Sequence, residues 1–240
     1  MKFKNTEVFN FKGALRGMRN PKESWNKSDT FICGNSGTDC PCDNCSHVAG
    51  VEIGKNDLAL AQSLIRAGSE HRKFMRQIIV SVDITAPMYW WKEFDTYKVG
   101  TVANSTSTMH KLAATPITED CFEMDDFEDL DDIGYMMNTP MSTSFYWYHT
   151  IKYMELLRKK YNETKDIRYW KELIRLLPES WLQKRTVTMD YENLLAICSK
   201  GQRRNHKLTE WSKSFIDWAR TLPYAQELIF LDELGEKKNG

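Results

Sequence analysis

The sequence predicts an α/β chain. Two segments, QIIVSVDIT and KRTVTMDY, alternate apolar with more varied residues as half-buried strands do, and amphipathic helical segments flank them. A chain of 240 residues that is 41% hydrophobic and carries eight tryptophans has material for a sizeable core and is not a disordered composition. No internal repeat and no clear linker divides it, so one domain over residues 1–240 is expected.

The elements follow in order. Residues 1–30 are polar and broken by Gly13, Gly17 and Pro21, which reads as an extended lead-in. Residues 31–50 (FICGNSGTDCPCDNCSHVAG) are rich in Gly, Asn and Cys, which marks a loop. Asn56 or Asp57 is placed to cap a helix that carries Leu58, Ala61, Leu64 and Ile65 on one face and stops at Gly68. In the next strand Ile78, Val80, Val82 and Ile84 share the buried face. Pro87 then opens an aromatic helix, PMYWWKEFDTY. The stretch TVANSTST (101–108) is too polar for core and lacks helical period. From Glu119 to Asp132 nine of fourteen residues are acidic, with no fixed ligand spacing, so a solvated loop over 118–133 is expected. Helices are expected over 142–161 and 166–177, the second halted by Pro178. After the KRTVTMDY strand the rest is helical, with Leu208, Trp211, Phe215 and Trp218 spaced as a core stripe.

Bulk properties exclude several classes. Lys plus Arg equals Asp plus Glu at 33 each, so no net field draws the chain to nucleic acid or an anionic membrane. No run reaches the ~18–20 apolar residues of a membrane span. The start, MKFKNTEVFNFKG, has no apolar core of a secretory signal, and a cytoplasmic globular protein is expected. Six cysteines without such a signal read as thiols or metal ligands rather than disulfides. Four of them, Cys33, Cys40, Cys42 and Cys45, lie within thirteen residues, with His47 just beyond. They are the candidate ligands of a structural zinc, but structural sites usually carry two separated chelating pairs, and inert loop thiols are the competing reading.

The stretch QIIVSVDITAPMYWWKEFDTYKVGTVANSTSTMHKL (77–112) resembles the central block of the flavin-dependent thymidylate synthases without a gap. In that family a strand ends in Ala-Pro, an aromatic helix follows, and Arg-His-Arg-x-x-Ser-x-x-x-x-Ser-x-Arg comes next. Upstream, RAGSEHRKFMRQI is similar to the family's lead into the strand. Downstream, RLLPESWLQKRTVTMDYENLLAICSKGQRRNH is similar to its Leu-Pro, strand, Asn-x-Arg, helix, Arg and His order. The resemblance covers residues 56–220. It implies a mostly antiparallel central sheet flanked by helices, a helical C-terminal part and a homotetramer with sites formed between subunits. In such an assembly the aromatic helix at 88–97 would bury its rings at the interface.

The signature is substituted. Its Arg-His-Arg falls on Thr96-Tyr97-Lys98, its serines on Thr101 and Thr106, its glutamate on Asn104 and its last arginine on Thr108. Threonine cannot reproduce the two-point contact of a guanidinium with a phosphate or a uracil. The Asn-x-Arg pair falls on Asp190-x-Glu192, and the histidine near the folate site becomes Ser69, with His71 two residues on. Carried over position by position, the resemblance implies flavin contacts at Thr96, Tyr97, Lys98, Asn104, Asp190 and His206. It implies nucleotide contacts at Glu93, Thr106, Ser107, Thr108, Arg175, Arg203 and Arg204, with Lys111 a further cation. No catalytic side chain is assigned.

Three functions compete at this stage. The first is a divergent FAD-dependent enzyme that methylates dUMP or a related uracil nucleotide from methylenetetrahydrofolate. The second is a non-catalytic nucleotide-binding relative that keeps fold and tetramer. The third is a metal-stabilised interaction protein.

Overall fold

Phe11, Ala14, Leu15 and Met18 repeat at helical spacing and are all buried, so the segment after Asn10 is a helix rather than an extended lead-in. A strand of eight residues precedes it. Gly13 and Gly17 do not break the helix, because its apolar stripe buries enough surface to outweigh their cost of about 1 kcal/mol each. The computed structural model describes residues 1–32, 51–125, 127, 128, 130, 134–136 and 139–236.

The first half of the chain runs β1 (Lys2–Phe9), α1 (Phe11–Met18), β2 (Phe31–Ile32), β3 (Val51–Glu52), α2 (Lys55–Arg66), β4 (Ile79–Pro87), α3 (Met88–Phe94), β5 (Val102–Ser105) and α4 (Thr108–Lys111). It continues with β6 (Gly134–Met136), β7 (Thr139–Met141), α5 (Thr143–Thr164), α6 (Ile167–Arg175), β8 (Leu182–Asp190) and α7 (Tyr191–Ile197). A π-helical turn over Glu210–Phe215 leads into α8 (Ile216–Arg220), followed by α9 (Ala225–Leu228) and α10 (Leu231–Glu236). The main sheet is antiparallel and four-stranded, in the order β1-β4-β8-β5, with flanking helices. Two short antiparallel ladders pair β2 with β3 and β6 with β7. No helix among the described residues is long and apolar enough to cross a membrane.

The chain divides into two compact units. The first holds Met1–Lys2, Ile84–Thr96 and Asn104–Arg185. Its aromatic helix α3 corrects the interface expectation: Trp90, Trp91 and Phe94 are buried inside this unit. Trp90 stacks on Phe94 at 5.1 Å, and the Trp91 indole donates to the Gln183 carbonyl at 3.0 Å. A second cluster joins Leu112 and Phe122 to Ile151, Met154 and Leu157 of α5 and Leu173 of α6. Exposed rings of this unit include Tyr146, Tyr148 and Tyr153 on α5 and Tyr135 on β6.

The second unit holds Phe3–Asp83, Tyr97–Ala103 and Thr186–Gly240. Ile78, Val80 and Val82 are buried as the alternation requires, and the stripe Trp211, Phe215, Trp218 is buried with them. Phe3 of β1 stacks on Trp218 at 4.9 Å. The expected cap of α2 is corrected. Neither Asn56 nor Asp57 caps the helix; Asp29 does so from upstream, accepting from the N–H groups of Asn56 at 2.9 Å and Asp57 at 3.0 Å. Asp57 is thereby released to face inward, where it is fully buried. It accepts from Arg19 Nε at 2.5 Å, Ser28 Oγ at 2.7 Å, Thr30 Oγ1 at 2.5 Å and the Asp29 and Thr30 amides. Burial pushes its carboxyl up, but the bonds from Ser28, Thr30 and Arg19 outweigh that and hold it below the usual carboxylate range.

Replacing Asp57 with Ala leaves the Arg19 guanidinium buried without its counter-charge, a change that costs about 3–5 kcal/mol. Urea unfolding should show that loss. A carboxyl held low in the folded state stabilises the protein above its unfolded pKa, and this contribution disappears as pH falls through the folded value. The wild-type protein should therefore lose the Asp57 contribution only below about pH 3.9, while the alanine variant shows no such component.

Candidate functional site

The residues that match the family signature start at the end of α3. In the first unit, the Thr96 hydroxyl donates to the Glu93 carbonyl at 2.7 Å, which closes the helix end. Asn104 lies exposed on β5. Thr106 donates its hydroxyl to the Lys184 carbonyl at 3.2 Å, and the Gln183 amide reaches the Thr106 carbonyl at 3.0 Å and the Thr108 hydroxyl at 3.2 Å. Ser107 accepts at its carbonyl from the Lys111 amide at 3.1 Å, so it opens the α4 turn. Several hydroxyls of the stretch thus serve backbone closure. Arg175 is exposed on α6 and pairs with Glu172 at 3.1 Å. Arg185 is the notable cation here, stacked 4.2 Å over Trp91 and paired with Asp95 at 2.7 Å.

In the second unit the loop after α3 is pinned to the start of α7. Asp190 and Asn193 form a reciprocal capping box, with Asn193 N donating to Asp190 Oδ1 at 2.8 Å and Asp190 N donating to Asn193 Oδ1 at 3.1 Å. The Asn193 side-chain amide also donates to the Val99 carbonyl at 2.7 Å. Gly100, at φ +83°, passes so close that a Cβ would stand 2.8 Å from the Asn193 side chain. That approach and the left-handed backbone both require glycine. The Asp190 carboxylate expected to face a cofactor is spent on this cap, and burial raises its pKa.

Glu192, two residues on, shifts the other way. Burial raises it, but hydrogen bonds from Arg76 and Arg72, the latter at 3.0 Å, outweigh this and lower its pKa. Where the family places an arginine, this chain has a carboxylate that holds two arginines.

A cavity of about 640 Å³ opens in this unit. Leu195 and Ala196 of α7, Ile65 of α2, and Ile229 and Leu231 give it apolar walls, and Tyr97 lines it. Arg66, Arg72 and Arg204 bring guanidinium groups, and Ser199, Gln202 and Asp232 bring polar groups. The Tyr97 hydroxyl accepts from Arg203 Nε at 2.9 Å. The Arg203 guanidinium lies 4.5 Å from the Trp211 ring and 5.5 Å from the Tyr97 ring, a cation caged by aromatic faces. Arg204 is bound to Asp232 through two parallel contacts, each 3.0 Å. His206 Nδ1 accepts from the Leu208 amide at 3.1 Å, so its neutral imidazole carries the proton on Nε2. Lys98 is exposed, and neither it nor Arg66 has an ion-pair partner among the described residues.

Of the expected site residues, the second unit therefore brings Tyr97, Arg203 and Arg204 to or beside one cavity. Sequence reasoning missed Arg66, Arg72, Ser199, Gln202 and Asp232. Arg66 and Arg72 lay within the quoted lead-in to the strand, and Ser199 and Gln202 within the quoted downstream segment, so the resemblance bracketed them without singling them out; Asp232 lay outside it and gave no signal. A second cavity, about 670 Å³, lies in the first unit among Glu119, Asp120, Glu123 and Asp125 and is lined by none of the expected residues. Its carboxylates would repel a phosphate. The cysteine set Cys33, Cys40, Cys42 and Cys45 lies outside the described residues, as does part of the acidic stretch. Among the described residues no cluster of His, Cys, Asp and Glu is arranged to hold a metal ion.

The architecture defines a known class: the chain has the fold of the flavin-dependent thymidylate synthases. The flavin-dependent thymidylate synthase ThyX of Helicobacter pylori, solved with FAD and dUMP, superposes with a TM-score of 0.62 at 14% identity, covering 97% of this chain and 99% of that one. A second structure of that enzyme with FAD and dUMP gives 0.62 at 13% identity, covering 97% and 98%. The UMP/dUMP methylase PolB of Streptomyces cacaoi, bound with 5-Br dUMP, gives 0.53 at 13% identity, covering 96% of each chain. No family model matches the sequence, and no curated protein matches it significantly.

Tyr97 should prove structural as well as cavity-lining. Tyr97→Phe keeps the ring over Arg203 but removes the acceptor, and should lower unfolding free energy by about 0.5–1.5 kcal/mol. Tyr97→Ala removes the aromatic face as well and should cost more; equal losses in urea titrations would show that the hydrogen bond, not the cage, holds Arg203.

Proposed function

We propose that this chain binds a flavin and a uracil nucleotide and methylates the uracil base, with methylenetetrahydrofolate as the carbon source. The observation that carries the reading is a fold shared over nearly the whole chain with proteins solved with dUMP or its bromo analogue, two of the structures also holding FAD. The second unit adds a cavity of suitable size, with apolar walls and a phenol face.

The residues fit the ring system better than the phosphates. Leu195, Ile229, Leu231 and Tyr97 would sandwich a planar heterocycle, and Ser199 and Gln202 would meet its polar edge. Lys98 and Arg66, which lack carboxylate partners among the described residues, are the cations for a diphosphate. When bound, a reduced flavin supplies the hydride; the protein orients and polarises. Arg203, held by Tyr97 and Trp211, is a fixed positive charge that would stabilise negative charge developing on a pyrimidine carbonyl. With Nδ1 accepting from the Leu208 amide, the His206 imidazole offers its Nε2–H as a donor. A homotetramer belongs to this reading, and the exposed Tyr146, Tyr148 and Tyr153 on α5 supply the kind of surface that interfaces favour.

A non-catalytic nucleotide-binding relative is the second reading. It is favoured by Arg72 and Arg204, both of which are already closed by carboxylates. The purified protein, incubated with excess FAD and desalted, separates the two. The enzyme reading expects a retained visible flavin band that dUMP perturbs. A colourless protein that is nonetheless stabilised against heat by dUMP would leave only the non-catalytic reading.

A further inference from the structure

Arg204 lines the cavity, yet most of its donors are already committed. Its Nε donates to the Cys198 carbonyl at 3.0 Å. Nη1 faces Asp232 Oδ2 at 3.0 Å and Glu233 Oε1 at 3.1 Å, and Nη2 meets Asp232 Oδ1 at 3.0 Å. A guanidinium has five N–H groups, so these contacts leave one for anything else. The fork that recognises a phosphate or carboxylate in two points is occupied by the chain's own Asp232.

The occupant sits on a separate, short element. Asp232 and Glu233 belong to α10, whose Leu231 and Asp232 line the same cavity. The helix is held by Arg204 and by Arg220, which binds Glu233 through contacts of 2.9 and 2.7 Å. The Phe230 ring just before it lies 5.3 Å from the Arg204 guanidinium and 4.2 Å from that of Arg220. Asp232 is half exposed, so its carboxylate can return to water when displaced, whereas the Arg204 side chain is only 10% exposed and stays at the cavity. With Arg72 held by Glu192, two of the cavity's three guanidiniums are closed by carboxylates and only the exposed Arg66 is left without one among the described residues, so the two-point phosphate contact is blocked at Arg72 and Arg204.

We propose that Asp232 is a specificity-determining residue that acts as an internal competitor for the ligand's phosphate: a phosphorylated ligand binds by exchanging for this carboxylate at Arg204, and the exchange loosens α10 by removing one of its tethers while Arg220 still holds Glu233. This deepens the nucleotide reading above and rests on it for the identity of the ligand, but not for the exchange itself.

The test compares wild type with Asp232→Asn and Arg204→Gln, using dUMP, deoxyuridine and inorganic phosphate as probes. Asparagine keeps one acceptor for Arg204 while removing the charge, so the fold is retained. Calorimetry should show dUMP binding about tenfold more tightly to Asp232→Asn than to wild type, with deoxyuridine unchanged and no gain in the Arg204→Gln background. Hydrogen exchange of the amides of residues 231–236 should accelerate when wild type is saturated with phosphate, and not in Arg204→Gln. That acceleration supports the exchange even if no uracil compound binds, in which case the nucleotide reading alone fails. If dUMP binds but Asp232→Asn leaves the preference between dUMP and deoxyuridine unchanged, and phosphate leaves residues 231–236 protected, the exchange is overturned and the nucleotide reading stands.

Discussion

Arg72 and Arg76 close on Glu192, and Arg204 and Arg220 close on Asp232 and Glu233. A guanidinium at the wall of a cavity needs an anion, because an unpaired buried charge costs far more than the pair contributes. For Arg72 and Arg204 the anions come from the protein. The contacts that fix α7, α10 and the lead-in to β4 are therefore the same ones that set the electrostatics of the cavity. A fold whose solved relatives hold phosphorylated ligands is here stabilised, in its second unit, by internal substitutes for such charge.

The same exchange of roles runs through the signature stretch. Threonines standing where the family carries arginines or serines do not simply line a weaker copy of the site. Thr96, Thr101 and Thr106 turn their hydroxyls onto nearby carbonyls and hold the loop. Tyr97 takes the Arg203 donor and, with Trp211, cages that cation in aromatic faces. Asp190 becomes half of a capping box. Backbone closure by these hydroxyls stands where the family signature carries ionic side chains.

Much of this was legible in the residues. The alternation of Ile78, Val80, Val82 and Ile84 marked β4, and the spacing of Trp211, Phe215 and Trp218 marked a core stripe, because burial on one face imposes a period that local sequence carries. Missed features depended on distant partners. Asp29 caps α2 from 27 residues upstream, and nothing near Asn56 announces it. The first helix was hidden by two glycines whose cost its buried stripe overrides. The rings of α3 looked like surplus for an interface because the sequence could not show Gln183 and Arg185 meeting them inside the first unit. In the site, Tyr97, Arg203 and Arg204 were found through the resemblance, whereas Asp232 is 28 positions from Arg204 and only the folded chain joins them.

The most direct measurement of the central claim is product analysis. The protein would be incubated with FAD, a reductant, methylenetetrahydrofolate and an equimolar mixture of dUMP, UMP and their nucleosides, and the bases examined by mass spectrometry. The account predicts that a uracil base gains a methyl group at carbon 5, and that the gain requires the flavin. Recovery of every base unmethylated, from protein that retains the flavin, would contradict it.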